Sequence, residues 1–155
     1  MLLQRPDLMT AVRKDPGRLP ALIEESLRLE SPIQSFYRTA TVDTTVGDVP
    51  IPAGSHLLLV YGAANRDERQ FEKADAVDLG RENAKAHISF GRGAHGCPGS
   101  LLARSEAQIA LETLLARLDP IELATAPEKL PYVPSYVARG VLSLPVRFTA
   151  ARAPQ

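Results

Sequence analysis

The chain of 155 residues has one cysteine, no tryptophan, only three histidines and no excess charge of either sign, with 18 Lys+Arg against 18 Asp+Glu. Each shortage excludes something. One cysteine cannot close an internal disulfide, which excludes a stapled secreted scaffold. A neutral balance gives no electrostatic basis for nucleic acid or an anionic membrane as the main partner. One cysteine among His56, His87 and His95 completes no structural zinc set. No stretch approaches the roughly 20 apolar residues of a membrane span. Arg5 and Asp7 interrupt the N-terminus, so no signal peptide is expected there. These exclusions point to a cytoplasmic chain with neither a membrane nor a nucleic acid as partner.

What is present reads as globular, with 45% hydrophobic and 23% charged residues. The length suits one domain with a real core. Pro6 to Lys14 predicts a short helix, broken by Asp15-Pro16-Gly17. Leu19 to Leu29 predicts a second, with Leu19, Ile23 and Leu27 on one face, and Ser31-Pro32 ends it. Phe36 to Val42 and Thr45 to Ile51 predict two short strands, and Leu57 to Val60 a buried strand or the start of a helix. Residues 65–96 are rich in turn formers. Gly99 to Leu118 predicts the longest helix, with an apolar stripe of Ala103, Ala107, Ala110, Leu111, Leu114 and Leu118, stopped by Asp119-Pro120. Glu122 to Pro134 reads as an irregular connection. Val141 to Phe148 reads as a late strand pairing with one of the earlier ones, and Ala150 to Gln155 as a fraying tail. The expected class is mixed α and β, mainly α.

The most informative stretch is Phe90-Gly91-Arg92-Gly93-Ala94-His95-Gly96-Cys97-Pro98-Gly99. It gathers four glycines around the cysteine, directly before the long helix. Glycine permits φ > 0 and close approach of backbone to a ligand. A cysteine before a helix lies near free N–H groups and the positive end of the dipole, a setting that suits a thiolate ligand for a soft or borderline metal. Pro98 fits the start of the helix, where its missing N–H costs nothing. Other readings remain open on these residues alone. A lone cysteine is commonly a small buried hydrophobe. Gly91-x-Gly93-x-x-Gly96 has dinucleotide-loop spacing, but no ribose-binding acid is evident about 20 residues on.

The pattern Phe-Gly-x-Gly-x-His-x-Cys-x-Gly resembles the haem-binding loop of the cytochrome P450 family, in its bacterial soluble form. All six positions are present: Phe90, Gly91, Gly93, His95, Cys97 and Gly99. Upstream, Glu25-Ser26-Leu27-Arg28 is similar to the Glu-x-x-Arg pair of the family's K helix, and Arg81 in Asp78-Leu79-Gly80-Arg81 to the meander arginine that joins it. Ile51-Pro52-Ala53-Gly54, Ala63-Ala64-Asn65-Arg66-Asp67 and the tail Arg139 to Val146 also resemble bacterial members, in the same order.

The resemblance implies the C-terminal part of the P450 fold: J′ and K helices, short strands, meander, cysteine loop, L helix and C-terminal hairpin, as one partial domain over residues 1–155. It implies haem b as cofactor, with Cys97 as axial ligand of the iron. Arg38 and His95 become partners of the haem propionates, since two carboxylates on a buried cofactor need donors. Phe90, Gly91 and Gly99 complete the cofactor-binding set. Glu25, Arg28 and Arg81 form a supporting network that fixes the cysteine loop. Arg92 is a further candidate for a propionate or a redox partner, and Leu101 and Leu102 for packing near the porphyrin. His56 and His87 are expected to face solvent or satisfy local hydrogen bonds. The implied activity is a monooxygenase that activates dioxygen to hydroxylate or epoxidise a small organic substrate, with electrons from a ferredoxin- or flavodoxin-type donor.

Two departures stand out beside this. Gly96 and Pro98 flank the cysteine where bulkier residues are commoner in the family. No Ala-Gly-x-x-Thr-like motif of the distal, oxygen-activating helix occurs, so no catalytic residue is assigned in this chain. The alternative reading is therefore a truncated, non-catalytic fragment with weak or no haem binding. An open half-pocket is expected to promote self-association.

Overall fold

Two short helices open the chain, and each begins where a proline costs nothing. The computed structural model describes residues 1–150. Helix α1, Pro6–Lys14, starts on Pro6, with Asp7 in its first turn and Arg13 and Lys14 in its last. Proline has no N–H to lose at that position, and the charges complement the helix dipole. Its buried side chains are Leu8 and Val12, four residues apart on one face. Asp15 then accepts the Gly17 N–H at 3.1 Å and turns the chain. Helix α2, Leu19–Glu30, buries Leu19, Leu22, Ile23 and Leu29, but also Glu24, Glu25 and Arg28. An ordinary amphipathic helix keeps such charges in water.

The end of α2 is held by side chains. Ser31 caps it in the left-handed region, at φ 37°, an unusual state for a residue other than glycine. Its hydroxyl donates to the Arg28 carbonyl at 2.9 Å. Gln34 Nε2 donates to the carbonyls of Glu30 and Ser31 at 2.8 and 2.5 Å. These are the carbonyls that a helix end leaves unpartnered. Gly62 makes room for that amide: a Cβ there would lie 2.5 Å from Gln34 Oε1.

Three two-stranded antiparallel ribbons follow. Strand β1 (Ser35–Thr39) pairs with β4 (His56–Val60), setting Phe36 opposite Leu59 and Arg38 opposite Leu57. Between them, β2 (Thr44–Val46) and β3 (Val49–Ile51) form a hairpin around Gly47, at φ 59°. A one-turn helix α3, Tyr61–Ala64, leads into the turn-rich segment. Helix α4, Ser100–Arg117, is followed at once by β5 (Leu118–Leu123), which pairs with β6 (Val146–Ala150). Backbone bonds from Gln34 N to the Val137 carbonyl (2.7 Å) and from Arg139 N to the Pro32 carbonyl (2.8 Å) stitch the late segment to the start of β1. The core lies where α1 meets α2: Leu8, Val12, Leu19 and Leu22, with Val77, Leu79, Leu111 and Leu115 packed against them. Among the described residues no helix is long and apolar enough to cross a membrane.

The architecture is mixed α and β, with both early helices where periodicity put them. Elsewhere it differs from the sequence reading. Thr45 to Ile51 is a hairpin rather than one strand, because Gly47-Asp48 supplies a turn between Val46 and Val49. Leu58, Leu59 and Val60 are exposed, not buried, on both faces of the ribbon. Strand β5 begins directly after α4 and takes part of the segment expected to be irregular. It is also the partner of the late strand, which the earlier strands are not. The expected stripe of α4 is only partly its inner face, through Ala107, Leu111 and Leu118. Arg104, Ala107, Gln108, Leu111 and Leu115 turn inward and are half-buried, while Ala103, Ala110 and Leu114 are exposed. A helix apolar on two sides does not announce which one packs. Helix α4 starts at Ser100, so Pro98 lies in the preceding turn. Of the expected tail, residues 151–155 lie outside the described residues.

Substituting Gly62→Ala pushes the Gln34 amide off the α2 carbonyls and is expected to cost about 1–2 kcal/mol. Gln34→Ala should cost a similar amount, and the double variant little more than either alone, because both remove one interaction. Urea denaturation of the three variants checks this; additive losses would refute the shared cause.

Candidate functional site

Glycine geometry closes the loop that carries the cysteine. Gly91 and Gly93 have φ of 70° and 68°, values that favour glycine. At Gly91 a Cβ would also lie 3.1 Å from the His95 carbonyl oxygen. The loop folds on itself: Gly91 N–H donates to the Ile88 carbonyl (2.8 Å), Gly96 N–H to Gly93 (2.9 Å) and Cys97 N–H to Phe90 (2.8 Å). Gly96 is thus tied in place despite its lack of a side chain. Gly99 follows with its Cβ direction 3.8 Å from Cys97 Sγ, so the residue before α4 passes close to the sulfur. Cys97 is free and exposed.

The loop faces a cavity of about 510 Å³. Leu27, Pro32, Ile33, Phe36 and Tyr61 line it together with Phe90, Gly91, His95 and Cys97 of the loop. Arg38 is the one permanently charged side chain in the lining. It is half-buried on β1, its Nη1 donates to the Tyr37 carbonyl (2.8 Å), and its Cζ lies 5.9 Å from the Phe36 ring centroid. The structure therefore brings Arg38, Phe90, Gly91, His95 and Cys97 to one cavity. Gly99 stands beside the sulfur but outside the lining. Arg92, Leu101 and Leu102 are exposed and do not line it. Arg92 instead borders a shallower hollow with Lys85, Gly96, Cys97 and Arg104 on the other side of the loop.

Beneath the loop lies a buried ionic network. Glu25 and Arg28 are fully buried and Arg81 nearly so. The Glu25 carboxylate accepts Arg28 Nε (2.7 Å) and Nη2 (2.9 Å), Arg81 Nε (3.0 Å) and the Asp78 N–H (2.9 Å). The remaining Arg28 donors reach the carbonyls of Asn65 (3.0 Å), Ala74 (2.5 Å) and Ala76 (3.0 Å). All five guanidinium N–H groups are used. Phe71 covers the network, its ring centroid 5.1 Å from Arg28 Cζ. Burial pushes the Glu25 carboxyl up, but the Arg28 and Arg81 bonds and the Asp78 N–H outweigh it and hold the group below its ordinary value.

Two further groups connect this network to the loop, and sequence reasoning missed their roles. Asn65 is buried, and its Nδ2 donates to the hydroxyls of Ser31 and Ser89, both at 2.8 Å, while Oδ1 accepts the Ile88 N–H at 2.8 Å. Ser89 in turn donates to the Leu27 carbonyl at 2.6 Å. One amide thus joins the end of α2 to the root of the cysteine loop. Glu24 is buried beside Glu25. It is paired with Arg104 of α4 (Nη2 to Oε2, 3.0 Å) and lies 3.2 Å from His87 Nε2. His87 does not face solvent: it is buried, its Nδ1 accepts the local Ser89 N–H at 3.2 Å, and its Nε2 also reaches Glu24, 63 residues away, which the sequence reading did not foresee. His56 does stay exposed, with a bond to the neighbouring Thr39 hydroxyl at 3.2 Å. Burial pushes His87 below its ordinary value against the raising charge of Glu24, and Arg104 adds to the lowering. Burial also raises Glu24, but Arg104 and His87 bring it below its ordinary value. The adjacent Glu24-Glu25 pair and the Asn65 and His87 positions are visible in the sequence, but nothing local to them names partners so far along the chain.

Comparison with known proteins identifies the family and the fold. The family model for cytochrome P450 matches residues 17–142. Cytochrome P450 107B1 of Saccharopolyspora erythraea is 44% identical over 147 residues, 94% of this chain and 36% of that protein. The beta-dihydromenaquinone-9 omega-hydroxylase of Mycobacterium tuberculosis is 43% identical over 153 residues, 99% of this chain and 30% of its own. Among solved structures, substrate-free CYP150A6 of Mycobacterium marinum superposes with a TM-score of 0.91 at 40% identity, over 97% of this chain and 39% of that one. The fold is part of the cytochrome P450 fold. This chain belongs to the cytochrome P450 family, and it spans about a third of the length of the relatives it matches.

The depressed groups make stability depend on pH. The unfolded chain takes up protons before the folded one at His87, Glu24 and Glu25, so stability rises with pH across each window. It should begin to fall as pH drops below the ordinary histidine value of 6.5 and fall further below the ordinary glutamate value of 4.5. Urea midpoints from pH 8 to 4 measure this, and His87→Gln should flatten the upper limb alone. Breaking the network by Arg28→Ala should cost about 3–5 kcal/mol, because it strands a buried carboxylate.

Proposed function

We propose that this chain is the haem-ligating part of a cytoplasmic cytochrome P450 monooxygenase, a single partial domain. The observation that carries the reading is one cavity whose lining combines a cysteine, apolar side chains, an arginine and a histidine. That donor set fits haem b. A soft sulfur suits the iron, apolar walls suit the macrocycle, and cationic or N–H donors suit the two propionates. The Gly91 approach, which a Cβ would close against the His95 carbonyl, fits a loop packed tightly next to a planar group.

The chemistry that bound haem supplies is reductive activation of dioxygen, used to hydroxylate or epoxidise a small organic substrate. Cys97 Sγ would hold the iron, as a thiolate donor, and Arg38 and His95 would pair with the propionates. Phe90 and Gly91 shape the wall beside the sulfur, Gly99 sets the close turn after it, and Leu27, Ile33 and Tyr61 keep water from that side. Glu25, Arg28 and Arg81 hold the segment from which the loop springs. No residue of this chain is assigned to proton delivery on the oxygen side. Electrons come from a ferredoxin- or flavodoxin-type donor.

A second reading, a non-catalytic chain with weak haem binding that self-associates, is favoured by one observation. Helix α4 buries no residue, and Leu101, Leu102, Ile109 and Leu114 on it are exposed together with Phe36, Leu58 and Leu59 on the first ribbon. Apolar surface spread over two elements promotes association.

The reduced, carbon-monoxide-bound absorption spectrum separates the readings. Purified chain loaded with haemin should give the strongly red-shifted Soret band of thiolate ligation. Cys97→Ser should abolish that band; its survival would mean another ligand. Arg38→Ala should weaken haem binding roughly ten- to a hundredfold, the worth of one charge-assisted bond. Absence of the band in the unaltered chain, with concentration-dependent size by light scattering, would favour the second reading.

A further inference from the structure

The pair Glu24–Arg104 stands apart from the Glu25–Arg28–Arg81 network, though Glu24 and Glu25 are adjacent on α2. The Glu25 carboxylate faces the segment around Asp78 and Arg81. The Glu24 carboxylate faces α4, and there Arg104 touches both ends of the cysteine loop. Its Cζ lies 4.6 Å from the centroid of the Phe90 ring, a cation–π contact. Its Nη1 donates to the carbonyl of Ser100, the first residue of α4, at 3.2 Å. Nε and Nη2 both grip the Glu24 carboxylate. His87 completes the cluster, with Nε2 toward Glu24 and Nδ1 accepting the Ser89 N–H at 3.2 Å.

Phe90 and Ser100 bracket Cys97. The Phe90 carbonyl receives the Cys97 N–H at 2.8 Å, and the Cys97 carbonyl receives the Ser100 N–H at 3.3 Å. A guanidinium that fixes both brackets restrains the backbone of the cysteine between them. The fork matters here. A planar group with divergent donors can hold a carboxylate, a carbonyl and a ring face at once, while a lysine ammonium is a point charge that cannot.

We propose that Arg104, anchored by Glu24, is a positioning residue that clamps the two ends of the cysteine loop and so sets the direction of Cys97 Sγ. The consequence for haem rests on the ligand role proposed above for Cys97; the clamp itself does not.

Two measurements on the full 155-residue chain test it. The first needs no haem: amide hydrogen exchange in Arg104→Lys and Glu24→Gln. The Cys97 and Ser100 amides should exchange about five- to tenfold faster, as when one ordinary hydrogen bond loses its support. The Ser31 amide, bonded to the Leu27 carbonyl, should stay within about twofold. The second is the reduced carbon-monoxide spectrum of the haem-loaded variants, in which part of the red-shifted band should move to the position given by a neutral thiol ligand. Unchanged loop amides in both variants would overturn the clamp. So would equal acceleration at Ser31, which would reduce Arg104 to general stability. If Arg104→Lys fails to fold, Glu24→Gln decides, since it keeps the side chain's shape but replaces one acceptor oxygen with an NH2 that cannot accept from Arg104 or His87. A missing band in the unaltered chain would refute the haem reading while the amide result still judges the clamp.

Discussion

The structure depends on a guanidinium taken fully out of water. Arg28 has no exposed surface, and its charge is tolerable only because Glu25 lies against it and three carbonyls accept the rest of its donors. Those carbonyls belong to Asn65, Ala74 and Ala76, so the segment after α3 has little freedom to sit elsewhere. Once it is placed, Asn65 has its amide in position to hold Ser89, and the loop starts from there. The physical logic is one of compulsion: a buried charge is costly enough that the chain around it must adopt whatever course satisfies it. That is why residues 65–99, with no strand or long helix, hold a defined path.

How much of this was legible in the sequence varies by element. Helices α1 and α2 were readable because Pro6, Asp15-Pro16-Gly17 and Ser31-Pro32 punctuate them and the apolar spacing is helical. The ribbons were less so. Strand β5 starts directly after α4 with Asp119-Pro120 inside it, a sequence that reads as a stop rather than a strand. The inner face of α4 was legible only in part, at Ala107, Leu111 and Leu118, because Leu and Ala occur on both sides of it. In the site, the loop was legible as a dense local pattern, and the resemblance rested on it. Asn65, Glu24, His87 and Arg104 were not, because a single chain does not show which polar residues meet across 24 to 80 positions.

The division of labour between Glu24 and Glu25 shows how adjacent residues on a helix reach different elements. Successive helical positions are about 100° apart around the axis, so one carboxylate meets the Arg81 segment and the next meets α4. A helix of only 12 residues thereby organises the two halves of the chain that follow it. Part of the cavity lining outside the loop comes from this helix and its neighbours as well, through Leu27, Pro32 and Ile33.

The direction of these long bonds has a consequence for how the protein is made. Apart from Arg28, every partner of the Glu24 and Glu25 carboxylates lies far later in the chain, from 53 residues at the Asp78 N–H to 80 at Arg104. During synthesis α2 emerges with its charges solvated, and a helix of that length is marginal by itself. Each later segment can close onto it only once made: the Asp78 segment first, then the cysteine loop with the second turn of α4, and last the stretch around Val137 and Arg139 that bonds to Gln34, Pro32 and Glu30.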